Sequence, residues 1–267
     1  MARRWLWVSG IIVVLIVAII LFALRSSANV PAQLHVESGT VTVNGNVVTG
    51  TIELDEGDVI ATGEGTATVF LYESVVVSLE KDTSVTLDDL TRTHPKISQK
   101  GGKSWSVFTK LVGVVDYSIS TDKAVASVRG TAFALSEGKL LVGEGTVSYD
   151  YDGKTFLVAE KRVVENGIER AATPEELAEI KAHLQHAVGE LQYLRKLEID
   201  DHPFLVKTAM TLYGVTEEEV NQKLAEADAG AINVDDALAK APFHLAALDK
   251  IADITKAIQK VNQEIAG

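Results

Sequence analysis

The stretch KAVASVRGTAFAL, residues 123–135, decides which fold the sequence predicts. Small and apolar residues alternate on both sides of an Arg-Gly-Thr triplet, as they do in strands with one buried face. Gly130, at the centre of the triplet, can adopt a positive φ or allow another part of the backbone to approach closely. We expect Phe133 and Leu135 to face the core and Thr131 to hydrogen-bond within a turn. The triplet therefore predicts a corner in the backbone of a β-domain and not a catalytic loop.

The alternation continues on either side of this stretch and predicts an all-β domain at residues 34–168. Asn44-Gly45 and Asp152-Gly153 are hairpin signals, because these residues tolerate positive φ. Between the two halves of the domain lies the polar segment DDLTRTHPKISQKGGKS, residues 88–104, which predicts an exposed connection.

The pattern changes to a helical period after Thr173. Thr173 with Glu176 forms a predicted capping box around Pro174, and Thr216 with Glu219 repeats the box further along. Apolar residues at helical spacing follow each box, and the last run extends almost to the end of the chain. Residues 174–267 therefore predict a C-terminal helical bundle that is large enough for its own core.

The N-terminal segment carries a long apolar run. Residues 5–24 have no charge, and at about 1.5 Å per residue a helix of this length matches a bilayer core of about 30 Å. We therefore expect a transmembrane helix there, after a cytoplasmic tail at residues 1–4 and before a linker at residues 25–33. The alternative is a signal peptide cleaved near Ser26 and Ala28, although the apolar region of such peptides usually spans about 7–15 residues.

The charges that flank this run predict its orientation. Arg3 and Arg4 precede it and Arg25 follows it, which favours a cytoplasmic N-terminus. The expected localisation is a single-pass protein of the plasma (inner) membrane, with the C-terminal body outside the cytoplasm.

Composition excludes several function classes. The formal net charge of −12 disfavours general binding to nucleic acid or to anionic lipid surfaces. The chain has no cysteine, which excludes disulfides, thiolate nucleophiles and cysteine metal sites.

Residues 34–165 resemble the FecR domain family in a series of fragments that keep the family order. These fragments include SGTVTVNG (38–45), KSWSVFTKL (103–111), YSISTDKAVASVRGTAFAL (117–135) and VGEGTVSY (142–149). The most specific of them is the motif formed by Arg129, Gly130, Thr131 and Phe133. The resemblance implies an extracytoplasmic β-solenoid-like or roll-like module behind one membrane span. The chain as a whole is thus predicted to be α+β, with a transmembrane helix, an all-β FecR-like domain and a helical bundle.

The resemblance also bears on individual residues and on partners. Arg129 is expected to clamp backbone carbonyls or carboxylates, with a ligand contact as the alternative. Classical FecR proteins are anti-sigma regulators with a cytoplasmic helical domain, and no such domain precedes the apolar run here. We therefore do not expect this chain alone to bind a sigma factor.

The sequence offers no enzymatic motif. GGKS at residues 101–104 resembles the end of a phosphate-binding loop, but the earlier glycine of that motif is replaced by Ile97. HExxH and GxSxG are both absent. We expect no enzyme activity, no catalytic residues and no cofactor.

One helical stripe could bind a metal ion. Glu179, His183, His186 and Glu190 project from one side of the predicted helix that follows Thr173. Imidazole and carboxylate groups can bind zinc or another divalent ion. The alternative, which we favour, is a solvated flank with Glu–His pairs, because one helix alone rarely completes a metal site.

The expected function is that of a non-enzymatic binding or signalling module of the cell envelope, with a protein or glycan partner and no nucleic-acid partner. The alternatives are a structural component of a surface assembly or secretion machine, and an accessory subunit that docks onto an enzyme or transporter.

Overall fold

The structure is a computed structural model. It describes residues 32–109, 113–128, 130–203, 207, 210–211, 214–239 and 246–266. The strands in this part of the chain are β1 (Ala32–Ser38), β2 (Val41–Val43), β3 (Asn46–Val48), β4 (Thr51–Leu54), β5 (Val59–Ala61), β6 (Thr66–Leu71), β7 (Val75–Leu79), β8 (Ser84–Asp89), β9 (Lys96–Gly101), β10 (Lys103–Phe108), β11 (Tyr117–Ser120), β12 (Ala124–Val128), β13 (Ala132–Ser136), β14 (Lys139–Glu144), β15 (Thr146–Tyr151), β16 (Lys154–Ala159), β17 (Arg162–Glu165) and β18 (Ile168–Ala171).

The strands form two sheets of nine strands each. Sheet A has the order β18-β17-β14-β13-β10-β7-β6-β1-β4, and its neighbouring strands are antiparallel. Sheet B has the order β16-β15-β12-β11-β9-β8-β5-β2-β3, and only its β9–β11 pair is parallel. The predicted hairpins are confirmed, since Asn44-Gly45 joins β2 to β3 and Asp152-Gly153 joins β15 to β16, with positive φ at all four residues.

Among the described residues, the helices follow the strands in sequence. They are α1 (Pro174–Asp201), α2 (Glu217–Asp228), α3 (Val234–Ala239) and α4 (Ala246–Ala266). Both predicted capping boxes are confirmed: Thr173 and Glu176 cap α1, and Thr216 and Glu219 cap α2. Each box satisfies two backbone N–H groups that have no partner within the helix.

Two hydrophobic cores hold these elements in three layers. The first core lies between sheet A and sheet B and contains Val77 and Leu135 from sheet A and Ile97 and Tyr117 from sheet B. The second core lies between the other face of sheet A and helices α1 and α4. It contains Phe70, Val76, Trp105, Val107, Ala132, Ala134, Leu141, Val163, Ile180, Leu184, Ala187, Leu191, Leu194, Ile254, Ala257, Ile258 and Val261.

A glycine allows the helical layer to lie close to sheet A. An ideal Cβ at Gly143 of β14 would be 2.6 Å from Cγ2 of Ile180 on α1. The absence of a side chain at this position lets the two elements pack at van der Waals distance.

The described strands and helices belong to one compact unit. Strand β18 (Ile168–Ala171) occupies most of the stretch expected to separate the β domain from the helical bundle, and the division into two parts and their independent folding stay predictions.

The predicted β-solenoid or roll is wrong. The described strands form two open sheets stacked face to face, with neither a solenoid nor a closed barrel. In a solenoid, successive coils would place parallel strands side by side, whereas here short turns return the chain beside the preceding strand. Alternating side chains are compatible with both arrangements, so the sequence pattern did not distinguish them.

The prediction of an exposed connection at residues 88–104 is also wrong. The segment contains the end of β8, the whole of β9 and the start of β10, and its residues 90–95 join β8 to β9. Gln99 and Ser104 are buried, and their polar atoms are satisfied within the protein: Ser104 Oγ donates to Gln99 Oε1 at 2.6 Å, and Gln99 Nε2 donates to the carbonyl of Leu135 at 3.2 Å. Polar residues that suggested a loop therefore form a hydrogen-bond network inside the sandwich.

The predicted transmembrane helix, residues 5–24, lies outside the described residues. In the part of the chain that the structure describes, no helix is both long and apolar enough to cross a membrane. The single-pass localisation expected from the sequence is corrected accordingly and is not retained.

Gly130 and Thr131 lie between β12 of sheet B and β13 of sheet A, at one of the points where the chain passes from one sheet to the other. Gly130 has φ 86°. Phe133 and Leu135 are buried as expected. Thr131 exchanges two backbone hydrogen bonds with Phe108, at 2.8 and 3.1 Å, but its hydroxyl is buried without a hydrogen-bond partner within the described residues. Arg129 lies outside the described residues.

Replacing Gly130 with valine should destabilise the protein, because a β-branched residue is strained at this positive φ. The expected loss in free energy of unfolding is about 1–3 kcal/mol. Chemical denaturation of the purified protein measures it. The matched control is Gly101→Ala, where φ is ordinary and no atom lies within 4 Å of the position that a Cβ would take. Equal stability of Gly130→Val and the wild type would show that the corner does not require glycine.

Candidate functional site: a polar seam and an apolar groove

Helix α1 crosses sheet A with two adjacent stripes of side chains. The apolar stripe packs into the second core. The polar stripe, here called the seam, consists of Glu176, Glu179, His183, His186, Glu190 and Tyr193, and it contacts polar residues of sheet A. Spacings of three and four residues put all six on one side of the helix. The seam therefore contains all four residues predicted from the sequence as a possible metal stripe.

The first residue of the seam is bound by two cations. Arg170 contacts both carboxylate oxygens of Glu176 at 2.8 Å, and Lys139 contacts one of them at 2.8 Å. The hydrogen bonds from Arg170, followed by those from Lys139 and Thr173, hold the pKa of Glu176 well below its ordinary value even though burial opposes the shift. This end of α1 is fixed by charge-assisted hydrogen bonds.

The next group in the seam contains Glu179 and His183 from α1 and Glu80, Lys103 and Trp105 from sheet A or its loops. Lys103 forms an ion pair with Glu179 and lies 3.4 Å from Glu80. Trp105 Nε1 donates to Glu80 at 2.9 Å, and the His183 ring stacks on Trp105 with 4.0 Å between ring centroids. Lys103 thus pairs with both carboxylates of this group and offsets one of their two negative charges.

His183 is held in its neutral form. Burial lowers its pKa to about 4; the carboxylate of Glu80 opposes this shift, and the ammonium group of Lys103 adds to it. The Nδ1 atom of His183 is buried without a hydrogen-bond partner, while Nε2 lies 3.7 Å from Glu80. A stacked, largely buried imidazole of this kind resists protonation because the charged form would lose its hydration.

The following group contains His186 and Glu190 from α1 and His35 and Glu37 from β1. His186 Nε2 lies 3.2 Å from Glu37 Oε1, and His35 Nδ1 lies 2.8 Å from Glu190 Oε2. Thr68 of β6 donates to the same Glu37 oxygen at 2.6 Å. The group is thus built from alternating imidazoles and carboxylates that bridge the helix and the sheet.

The pKa shifts of Glu37 and His186 favour a negative charge on Glu37 and a positive charge on His186. Burial raises the pKa of Glu37, but the hydrogen bonds from His186 and Thr68 outweigh it, so that the net pKa lies below the ordinary value. The hydrogen bond to Glu37 raises the pKa of His186 against the effect of burial. Each partner stabilises the charged form of the other.

Two triads along the seam have side chains suited to a metal ion. Their ligand atoms lie within 4.8 Å of one another in Glu37–His186–Glu190 and in Glu80–Glu179–His183. The four residues predicted from the sequence are therefore divided between two groups, and a sheet carboxylate completes each one. The sequence did not reveal Glu37 and Glu80, because acidic residues near strand ends are common and only the crossing of α1 brings them to the helix.

A second feature, here called the groove, lies between α2, α3 and α4. Its volume is about 340 Å³, and its lining is predominantly apolar. The aliphatic side chains that line it include Val220, Leu224, Ile232, Leu238, Leu248 and Ile251. All six are half-buried and none belongs to the two cores. Within the described residues, the groove therefore presents apolar surface that neither core uses.

Comparisons with known proteins find only partial similarity. No protein-family model matches the sequence, and no curated protein matches it. Two crystal structures from Parabacteroides distasonis, both described as a "putative anti-sigma factor", are similar to part of this chain. Their TM-scores are 0.39 and 0.38, and their sequence identities are 16% and 15%. The similarity covers 45% and 44% of this chain and 62% and 61% of those chains, which is less than two thirds of their length.

This degree of similarity carries no argument about function. Membership of the FecR family is not established, and the resemblance described from the sequence fragments stays a prediction. The candidate site has to be interpreted from its own geometry.

The neutral state of His183 predicts an acid-dependent loss of stability. In the unfolded chain His183 takes up a proton near its ordinary pKa of 6.5, whereas in the folded protein it does so only near pH 4. The contribution to stability is therefore present above pH 6.5 and is lost as the pH falls from about 6.5 towards 4. His183→Gln should make the fall in unfolding free energy over this range shallower.

Denaturation curves at a series of pH values, in buffer containing a chelator, measure this slope. Ala182→Gln is the matched control, because it introduces the same side chain at an exposed position of the same helical turn. If His183→Gln and the wild type lose stability with equal slopes, protonation of His183 is not coupled to folding.

Proposed function

We propose that this chain is a non-enzymatic protein-binding module of a regulatory or signalling complex, and that it receives an amphipathic helix of a partner protein in the groove. The observation that carries the proposal is the set of half-exposed aliphatic side chains contributed by three helices to one concave surface. The sequence resemblance to the FecR family supports a signalling context.

The shape and lining of the groove suit a helix. Helices that bind in grooves insert apolar anchors spaced about three or four residues apart, and each anchor needs an apolar pocket. Leu224 on α2, Leu238 on α3 and Ile251 on α4 line the groove from three sides. A helix lying between them would bury these side chains, with a gain of about 25 cal/mol per Å² of apolar surface.

Charge around the groove favours a partner helix with basic residues beside its apolar face. Helix α2 begins with Glu217, Glu218 and Glu219, and α3 has Asp235 and Asp236 in its first turn. Lys223, which lines the groove, already pairs with Glu226 at 2.6 Å. The acidic surroundings would speed encounter with a basic segment and disfavour an acidic one.

The arrangement of the seam supports a non-enzymatic role. Its ionisable groups contact one another across the interface between α1 and sheet A, where they stabilise the attachment of the helical layer. The groove and not the seam is therefore the surface that we assign to a partner.

Photo-crosslinking tests the proposal. A benzophenone amino acid replaces Leu224 in one variant and Leu157 in a control, since Leu157 is 75% exposed on β16 at the edge of sheet B. After irradiation in cells, the crosslinked peptides are identified by mass spectrometry. We expect the Leu224 variant alone to form an adduct with an amphipathic, basic helical segment of another protein.

The captured segment is then synthesised and its affinity for the purified protein is measured by fluorescence polarisation. Ile251→Asp should weaken binding about tenfold or more, because it places a charge on the apolar contact surface, whereas Leu157→Asp should leave the affinity unchanged. The absence of a specific adduct, or an adduct with an extended or acidic segment, would refute the proposal. An adduct with a second copy of this chain would instead favour a structural component of an assembly.

A further inference from the structure

The two triads along the seam differ in how their negative charge is balanced. In the Glu80–Glu179–His183 triad, Lys103 contacts both carboxylates. In the Glu37–His186–Glu190 triad, the ion-pair partners within the described residues are the two histidines His186 and His35. No lysine or arginine of the described residues pairs with either carboxylate there. A permanent cation is thus present in one triad and missing from the other.

The two carboxylates of the second triad are also partly shielded from solvent, which raises the free-energy cost of leaving their negative charge unbalanced. The side chain of Glu190 is 11% exposed and that of Glu37 is 19% exposed. Two partly buried carboxylates close together repel each other unless a positive charge lies between them.

The donor atoms match the preferences of a divalent transition metal. One imidazole and two carboxylates, with ligand atoms within 4.8 Å of one another, can converge on an ion at bond lengths of about 2.0–2.2 Å after small side-chain movements. Nitrogen together with carboxylate oxygen suits zinc better than calcium or magnesium, which favour oxygen ligands alone.

We propose that Glu37, His186 and Glu190 form a zinc-binding site that joins helix α1 to strand β1. His35 acts as a positioning residue, since its Nδ1 lies 2.8 Å from Glu190 Oε2 and its ring stacks on Tyr193 with 4.0 Å between centroids. Thr68 holds Glu37 in the same way from β6. Hydrogen-bonded partners of this kind orient metal ligands and restrict their movement.

The bound ion would act as a crosslink between two layers of the protein. Glu37 belongs to β1 near one edge of sheet A, whereas His186 and Glu190 lie on successive turns of α1. Because the ligands meet only when α1 lies on sheet A, zinc would bind the folded protein and stabilise the attachment of the helical layer. This site is separate from the groove, so the two proposals can fail independently.

Isothermal titration calorimetry with zinc chloride tests the site on the purified full chain after chelator treatment and removal of the chelator. We expect one zinc ion per chain and a higher unfolding temperature in its presence. His186→Asn and Glu190→Gln should each weaken binding by about tenfold or more. Glu179→Gln in the triad that contains Lys103 is the matched control and should leave the affinity unchanged.

Two further measurements distinguish a loss of metal binding from a loss of folding in the variants. Circular dichroism of each metal-free variant identifies those that retain the wild-type fold, and Glu37→Gln on the strand provides a third ligand variant. Cobalt chloride in place of zinc should give a visible absorption band from the wild type that the ligand variants lose. Failure of the wild type to bind zinc stoichiometrically, equal binding by folded ligand variants, or a loss caused by Glu179→Gln instead would overturn the proposal.

Discussion

Burial of sheet A on both faces is the constraint on which the rest of the structure depends. In β7 the three successive residues Val75, Val76 and Val77 are all buried, and they alternate between the two cores. A strand that is apolar on both sides needs a layer on each side, as in sheets covered by helices. Sheet B covers one face and helices α1 and α4 cover the other. The helical segment is therefore a structural layer of this fold.

The polar seam follows from the way α1 covers that face. A helix that crosses the strands of sheet A reaches beyond the apolar centre of the sheet to strands with charged and polar residues, such as β1. At that point burial of Glu37 and Glu190 costs free energy unless each carboxylate finds a partner. His186 of the helix pairs with Glu37, and His35 of β1 pairs with Glu190 of the helix. Attachment of the helical layer and the chemistry of the candidate metal site thus have one physical origin.

Errors in the sequence-based predictions share a cause. Alternation indicated strands correctly around Val77, yet it was also consistent with the solenoid that the structure contradicts. Gln99 and Ser104 suggested an exposed connection because of their polarity, although a buried hydrogen-bond network satisfies them. Both errors concern which segments lie next to each other, and polarity in a single segment does not contain that information.

Local features were predictable from the sequence: the hairpins at Asn44-Gly45 and Asp152-Gly153, the capping boxes of α1 and α2, and the stripe of Glu179, His183, His186 and Glu190. These features depend on φ preferences, on contacts within a few residues and on helical periodicity. Only the tertiary structure decided the stacking of the sheets, the division of the stripe into two groups and the roles of Glu37 and Glu80. These features depend on contacts between distant segments, such as the one between His35 and Glu190, which are 155 residues apart. The local sequence pattern does not show which distant residues become partners.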